Sequence, residues 1–103
     1  MSVLLNFAMF PTDKGASVSA YVGKVIEMIR ESGVAYRLNP MGTTIETQNM
    51  TEALDIVNKA YAILEPHSDR IYSTINIDAR EGGVGRLEGK IESVERKIGK
   101  VNK

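Results

Sequence analysis

Strands are predicted where apolar and polar residues alternate along the chain, because successive side chains of a strand point to opposite faces. Four stretches show this pattern: Ser2 to Phe10, Val34 to Asn39, Thr43 to Thr47 and Arg70 to Arg80. Both faces of the first stretch are partly apolar, which predicts a strand that is covered on both sides. In the last stretch, isoleucines and small residues alternate with polar residues, which predicts one face in the core and one polar face.

Helices are predicted where apolar residues recur every three or four positions. The first helix starts at about Ser17 and ends where Gly33 would form a C-terminal cap. The second starts at Asn49, which with Glu52 resembles a capping box, and it ends before Pro66. Its predicted buried stripe consists of Leu54, Val57, Tyr61 and Leu64.

A third helix is predicted near the end of the chain, after a flexible break that contains Gly82, Gly83 and Gly85. Its apolar stripe repeats at steps of four and three residues and consists of Leu87, Ile91, Val94, Ile98 and Val101. A stripe of this kind packs on the core of its own chain or against another subunit.

The order of these elements is strand, helix, strand, strand, helix, strand and a final helix. The first six form the split βαβ pattern of a ferredoxin-like α+β sandwich, to which a C-terminal helix is added. The two main helices of such a sandwich cover one face of an antiparallel sheet and leave the other, here called the open face, uncovered. With 103 residues, the chain is expected to form a single domain over residues 1–103, small enough for association to help its stability.

Charge and composition exclude several classes of partner and of chemistry. Thirteen Lys plus Arg residues balance thirteen Asp plus Glu residues, so no net charge is available to attract a nucleic acid or an anionic membrane. Cys is absent and His occurs once, which excludes thiolate chemistry and a His-rich metal site within one subunit. The chain shows no membrane-spanning apolar run and no signal-peptide pattern, so a cytoplasmic protein is expected.

The open face carries the candidate chemistry. Glu46 and Asp78 directly follow the core residues Ile45 and Ile77 and therefore point to that face. A solvated face would explain both carboxylates, and so would a polar, cationic ligand enclosed where two such faces meet, because buried carboxylates must be paired. Neutral donors and acceptors nearby are Asn6, Thr43, Thr44, Thr74 and Asn76, and an aromatic surface would come from Tyr36 or Tyr72.

Two further features have an ordinary explanation. His67 lies beside Pro66 in the turn after the second helix, which predicts a surface or capping role. The loop PTDKGAS after the first strand could form an anion-binding nest, but a solvated turn explains it as well. This loop contains no Arg, so it is poorly equipped for the phosphate chemistry of acylphosphatases, which share this architecture.

Three segments resemble a known family: SVSAYVGKVIEMIRESGVAYRLNPMGTTIE, STINIDAR and KIESVERKIG. They are similar to the pattern of the MTH1187/YkoF-like family, also known as the thiamine-binding, UPF0045 or DUF77 proteins. The NPMGTTIE block and the strand that ends in NIDAR are the most specific parts. The family commonly has Gly directly after the Glu of this block, where this chain has Thr47, a change that removes backbone freedom and adds bulk.

The resemblance implies a ferredoxin-like fold, assembly as dimers or tetramers, and binding of thiamine or its hydroxymethylpyrimidine part. The positions that match the family's motifs are Ser17, Ser19, Thr43, Thr44, Glu46 and Asp78. Together with Asn6 and Asn76 they form the predicted ligand-binding set. An aminopyrimidine presents donors that a carboxylate such as Glu46 accepts, and a cationic thiazolium favours an acidic site.

The resulting hypothesis is a cytoplasmic homodimer or homotetramer that binds thiamine or hydroxymethylpyrimidine at a subunit interface. It has no catalytic residues, no metal and no nucleic-acid or membrane partner. The alternative is an ACT-like regulatory or scaffolding protein that binds another small effector and passes the signal to a partner chain.

Overall fold

A computed structural model of the chain describes residues 1–16 and 18–103, so Ser17 lies outside the described residues. In this part of the chain, the strands and helices follow the predicted order. They are β1 (Ser2–Pro11), α1 (Ser19–Ser32), β2 (Ala35–Asn39), β3 (Gly42–Thr47), α2 (Met50–Leu64), β4 (Ile71–Arg80) and α3 (Arg86–Ile98), with a 3-10 turn (Glu65–His67) after α2. The fold is the expected ferredoxin-like α+β sandwich with an additional C-terminal helix.

The four strands form one antiparallel sheet in the order β2-β3-β1-β4. β1 pairs with both β3 and β4, and Leu5 faces Ile45 on one side and Ile77 on the other. β1 is also the most buried strand. On the open face of β1, Ser2 and Leu4 are buried and the later residues are half-buried, so the prediction of a strand covered on both sides is confirmed for its first half only.

The helix ends follow the local signals in the sequence. Gly33 caps α1 with a φ of 80°, a left-handed conformation that glycine adopts without strain. The Asn49 side chain accepts a hydrogen bond of 2.8 Å from the backbone N–H of Glu52, as the capping-box pattern predicts. Pro66 lies in the 3-10 turn that ends α2. The start of α1 lies at Ser19, two residues after the predicted start.

The core lies between β1, β3 and the two helices α1 and α2. The predicted stripe of α2 is wrong in part, because Leu54 is 41% exposed and Tyr61 is also exposed. The helix instead packs on the sheet through the side that contains Ala53 and Ala60. The buried residues of α2 are Ala53, Ile56, Ala60 and Leu64. Alanine on the inner face allows the helix backbone to approach the sheet closely, and periodicity alone does not distinguish such a face from a neighbouring stripe of larger residues.

β4 also departs from the expectation. Ile75 and Ile77 are on the helix side of the sheet, where the core was predicted, but they are 41% and 42% exposed. β4 is the edge strand next to β1, and α1 and α2 pack mainly over the inner strands. The alternation of residues predicted the correct face but not whether a helix covers it.

α3 lies on the open face, where it contacts β1, β2 and β3. None of its residues is fully buried, and Val94 and Ile98 on its apolar stripe are exposed. The stripe is therefore only partly covered within one chain. None of the helices in the described residues has the length and apolar character to cross a membrane.

The close packing of α2 on the sheet can be tested with two neighbouring alanines. Ala60 is fully buried and Ala62 is exposed. Ala60→Leu should lower the free energy of unfolding by about 1 to 3 kcal/mol, because the larger side chain overpacks the interface with the sheet. Ala62→Leu should change it by less than about 0.5 kcal/mol. Urea titrations of both variants give the comparison, and equal stabilities would contradict the assignment of the inner face.

Candidate functional site

The structure separates the predicted ligand-binding residues into three groups along the sheet. One group is at the end where α3 begins, one is in the middle of the open face, and one is at the opposite end, beside α1. The groups are Glu46 with Asp78, Asn6 with Thr44 and Asn76, and Thr43 with Ser19. Ser17 lies outside the described residues.

Glu46 is a buried carboxylate that caps α3. It is 6% exposed and lies on the open face, as alternation predicts, but beneath the start of the helix. Its oxygens accept hydrogen bonds from the backbone N–H groups of Gly85, Arg86 and Leu87 at 3.0 to 3.2 Å and from the Ser2 hydroxyl at 2.5 Å. The carboxylate thus partners the free amides at the positive end of the helix dipole.

These hydrogen bonds also set the protonation of Glu46. Burial by itself raises the pKa of the carboxyl group, but the hydrogen bonds from the Ser2 hydroxyl and from the backbone of residues 85–87 outweigh it. The pKa of Glu46 is therefore held below its ordinary value, and the group is an anion at neutral pH.

Asp78 is also connected to α3. Its carboxylate forms ion pairs with Lys90 at 3.1 Å and with Arg86 at 2.8 Å. The hydrogen bonds from Lys90 and Arg86 hold the pKa of Asp78 below its ordinary value. Both predicted carboxylates thus have intrachain partners.

Sequence reasoning missed Arg86, which connects this end of the molecule. Its guanidinium donates to the backbone carbonyl groups of Ser2 and Asp78, both at 2.8 Å, and to the Ser2 hydroxyl at 2.9 Å. A signal was present in the sequence: α3 starts after Gly85, and no Ser, Thr, Asp or Asn precedes the helix as a cap. A helix without its own cap needs hydrogen-bond acceptors from elsewhere in the fold.

The middle group forms a row across the open face. Asn6 pairs with Thr44 on β3 and with Asn76 on β4. The Thr44 hydroxyl donates to the Asn6 side-chain oxygen at 2.9 Å. The Asn76 amide is exposed and has no hydrogen-bond partner among the described residues. This row is neutral and offers amide donors and acceptors.

A cleft lies at the opposite end of the sheet. β1 continues to Pro11, but its last pair with β3 is Phe7 with Thr43, so the β3 side of β1 is left unpaired beyond this point. The space is about 420 Å³. One wall is α1, another is the β2–β3 hairpin, and β1 forms the floor; we call this space the sheet-end cleft. Its lining residues are 7–10, Val18, Val22, Val25, Ile26, 38–43, Tyr72 and Thr74.

Thr43 is the buried polar residue of the sheet-end cleft. It is 4% exposed and lies on the helix side of the sheet, opposite to the face that carries Glu46 and Thr44. Its hydroxyl has no hydrogen-bond partner among the described residues. In the same residues, every fully enclosed side-chain N or O atom has a partner, so this hydroxyl is not fully enclosed. The hydroxyl therefore borders the cleft. Ser19, exposed at the start of α1, follows the lining residue Val18.

Thr47, where the family commonly has Gly, points away from both the cleft and the open face. It is buried on the helix side of β3, and its hydroxyl donates to the backbone carbonyl of Asn49 at 2.7 Å. The added bulk thus packs against the start of α2.

The loop after β1 is an ordinary hydrogen-bonded turn. Asp13 accepts hydrogen bonds from the Ser68 hydroxyl at 2.6 Å and from the backbone N–H of Asp69 at 3.1 Å, and these bonds lower the pKa of Asp13. His67 is exposed, with its ring centroid 5.8 Å from that of Tyr21, which agrees with the surface role predicted for it. Residues 1–16 and 18–103 contain no cluster of three metal-ligating side chains.

The capping role of Glu46 predicts a measurable loss of stability. Glu46→Gln keeps the shape of the side chain but places an amide N–H₂ group against backbone N–H donors. We expect a loss of about 1.5 to 3 kcal/mol in the free energy of unfolding at pH 7, the usual range for hydrogen bonds to a charged group. The control, Glu27→Gln on the exposed side of α1, should change stability by less than about 0.5 kcal/mol. Equal urea midpoints for the two variants would rule out this role.

The same bond should make stability depend on pH. The folded-state pKa of Glu46 is lowered, so its contribution is fully present above the unfolded value, about 4.3, and is lost as the pH falls through the folded pKa. Glu46→Gln does not titrate at this position. The stability difference between wild type and Glu46→Gln, measured in urea at several pH values, should be constant from pH 7 to 5.5 and shrink below about pH 4. A difference that is independent of pH would contradict the assignment.

Comparisons with known proteins identify relatives over most of the chain. The family model described as "Thiamine-binding protein" matches residues 5–95. A UPF0045 protein from Methanothermobacter thermautotrophicus is 37% identical over 83 residues, which cover 80% of this chain and 84% of the relative.

Solved structures agree with this result. A protein from Methanocaldococcus jannaschii has a TM-score of 0.80 at 31% identity and covers 90% of this chain and 95% of its own. A Thermotoga maritima protein, described as a candidate thiamine biosynthesis or salvage protein, has a TM-score of 0.78 at 24% identity, over 91% of this chain and 99% of its own, and shows the shared fold. The chain therefore belongs to the thiamine-binding protein family.

Proposed function

We propose that this protein binds thiamine or its hydroxymethylpyrimidine part, with the pyrimidine ring in the sheet-end cleft. The observation that carries the proposal is the Thr43 hydroxyl, which belongs to a residue that is 4% exposed, borders the cleft and has no partner among the described residues. A hydroxyl within a mostly apolar lining can both donate and accept a hydrogen bond, and such a group fixes the orientation of a small heterocycle. Membership of a thiamine-binding family supports this class of ligand.

The size and polarity of the cleft suit a small heterocycle. Its volume, about 420 Å³, lies within the range of small-molecule sites, roughly 300 to 1,000 Å³. The lining is mostly aliphatic and aromatic, and Phe10 and Tyr72, whose ring centroids are 5.9 Å apart, lie at its open-face side. A flat methylated pyrimidine can pack on such walls.

The cationic thiazolium of thiamine would stay at the mouth of the cleft, because desolvating a charge without a partner costs several kcal/mol. Ser19 follows the lining residue Val18 at the start of α1, and the row of Asn6, Thr44 and Asn76 begins next to the lining residue Thr43. We propose that they supply hydrogen bonds to the polar ends of the ligand.

Glu46 and Asp78 have a positioning role in this proposal. Their carboxylates are partnered by the start of α3, so they hold the helix on the open face and act on the ligand through the position of that helix. This role differs from the direct contact that the sequence alone suggested for them.

Binding without catalysis is part of the proposal. The described lining of the cleft contains no Asp, Glu, His, Lys or Arg side chain that could act as a general acid or base. We also propose a single-domain cytoplasmic protein that works as a homodimer or homotetramer. The exposed apolar residues of α3 and β4 support the assembly.

Calorimetry with a matched pair of threonine variants tests the site. Thiamine and hydroxymethylpyrimidine are titrated into wild type, into Thr43→Val and into the control Thr51→Val, which changes an exposed threonine of α2. Thr43→Val keeps the volume and removes the hydroxyl. It should weaken binding about 3- to 10-fold, the equivalent of one neutral hydrogen bond, while the melting temperature is maintained. Thr51→Val should bind like wild type.

Two results would contradict the proposal. If neither compound gives a heat of binding with the wild type, the assignment of the ligand is wrong. If Thr43→Val binds with the affinity of the wild type, the assignment of the ligand still holds, but the sheet-end cleft is excluded as its site.

A further inference from the structure

A second cavity lies between α3 and the open face of the sheet, and we call it the α3 cavity. Its volume is about 320 Å³, at the lower end of the range of small-molecule sites, roughly 300 to 1,000 Å³. Leu4 of β1 lies on its sheet side, and Leu87 and Ile91 belong to its helix side. These three side chains give the cavity an apolar interior.

Cationic side chains from three segments of the chain also line the α3 cavity. They are Arg37 of β2, Arg86 and Lys90 of α3, and Lys103 of the segment after α3. Within the described part of the chain, no Asp or Glu belongs to this lining. A recess lined by charges of one sign attracts a ligand of the opposite sign. The α3 cavity is thus suited to an anion.

The segment after α3 folds back so that Lys103 reaches the cavity. The Glu95 carboxylate holds this segment, because it accepts hydrogen bonds from the Lys103 ammonium at 3.0 Å and from the backbone N–H of Val101 at 3.1 Å. The same two hydrogen bonds hold the pKa of Glu95 below its ordinary value. Lys103 is therefore placed near Arg37 by a defined set of contacts.

Three of the four cations have donors left for a ligand. Arg86 is occupied by four hydrogen bonds to Ser2 and Asp78. Each of the other three forms a single side-chain hydrogen bond among the described residues. A guanidinium carries five N–H donors and an ammonium three. Most donors of these three cations, which are Arg37, Lys90 and Lys103, are thus available.

The present partners of these cations leave the α3 cavity without a negative charge. Arg37 pairs with Glu88 at 3.0 Å on an exposed surface, and such a pair contributes little to stability. Asp78 shares one carboxylate oxygen between Arg86 and Lys90, so one negative charge faces two positive ones. An anion in the cavity can therefore bind these cations without breaking a buried ion pair.

We propose that the α3 cavity binds a small carboxylate with an aliphatic body. A guanidinium donates two parallel hydrogen bonds to a carboxylate, which gives Arg37 the main role in recognition, and the two lysines add further donors. The aliphatic body packs between β1 and α3, where burial of apolar surface is favourable. This site is independent of the sheet-end cleft and of the ligand proposed for it.

Binding of this ligand should also hold α3 on the sheet. The carboxylate connects cations of β2, α3 and the segment after α3, whereas none of the residues of α3 is fully buried in the unliganded chain. A ligand that binds only the folded arrangement stabilises it by mass action.

NMR titrations of the wild type at pH 7 and constant ionic strength test the class of ligand. The probes are isovalerate, its neutral analogue isoamyl alcohol, and inorganic phosphate. Isovalerate should bind saturably and shift the backbone amides of residues 86–91. The alcohol lacks the charge and phosphate lacks the aliphatic body, so both should bind at least about 10-fold more weakly. No saturable binding of isovalerate, or equal affinity for either of the other probes, would overturn the proposal.

A matched pair of arginine variants tests the location. Arg37→Gln removes the guanidinium from the α3 cavity and should weaken isovalerate binding about 10-fold. The control, Arg96→Gln, removes the same charge from an exposed position of α3 outside the cavity and should bind like wild type. Circular dichroism checks that both variants fold, and thiamine titrations should be equal for the two. If the two variants bind isovalerate equally, the α3 cavity is not its site.

Discussion

A buried carboxylate determines how this fold is completed. Glu46 is almost buried on the open face, and a carboxylate in this position needs hydrogen-bond partners. α3 starts without a capping side chain and needs acceptors for its first amides. Each requirement satisfies the other, since the carboxylate receives three backbone N–H groups and the Ser2 hydroxyl. This one interaction places the third helix across a sheet face that a plain ferredoxin-like sandwich leaves open.

Ion pairs surround the start of α3, whereas the sheet-end cleft has a mostly apolar lining. At the start of α3, Arg86 and Lys90 bind Asp78, and Arg86 also holds the backbone of Ser2. At the other end of the sheet, β1 continues beyond its last pair with β3, and this leaves the sheet-end cleft open beside β1. Ionic groups thus hold the start of α3 in place, whereas the sheet-end cleft is lined mostly by apolar side chains. A neutral heterocycle suits this space better than an ion does.

Two apolar surfaces of the chain stay partly exposed to solvent. A chain of 103 residues covers the inner strands with two helices, and the edge strand β4 keeps two half-exposed isoleucines. α3 covers part of the open face but leaves its own stripe partly in water. Small domains bury a smaller share of their surface than large ones, so exposed apolar surface of this kind is expected in a chain of this size.

The sequence by itself determined the elements, their order and the faces on which residues lie. Alternation placed Glu46 and Asp78 on the open face, and the capping signals placed Gly33 and Asn49 at helix ends, because these features depend only on local backbone geometry. Only the tertiary structure decided which of these faces is covered and by what. Periodicity could not show that α2 buries Ala60 in place of Tyr61, that Ile77 lies beyond the helices, or that Glu46 caps a helix 40 residues later, because each depends on contacts between segments that are distant in sequence.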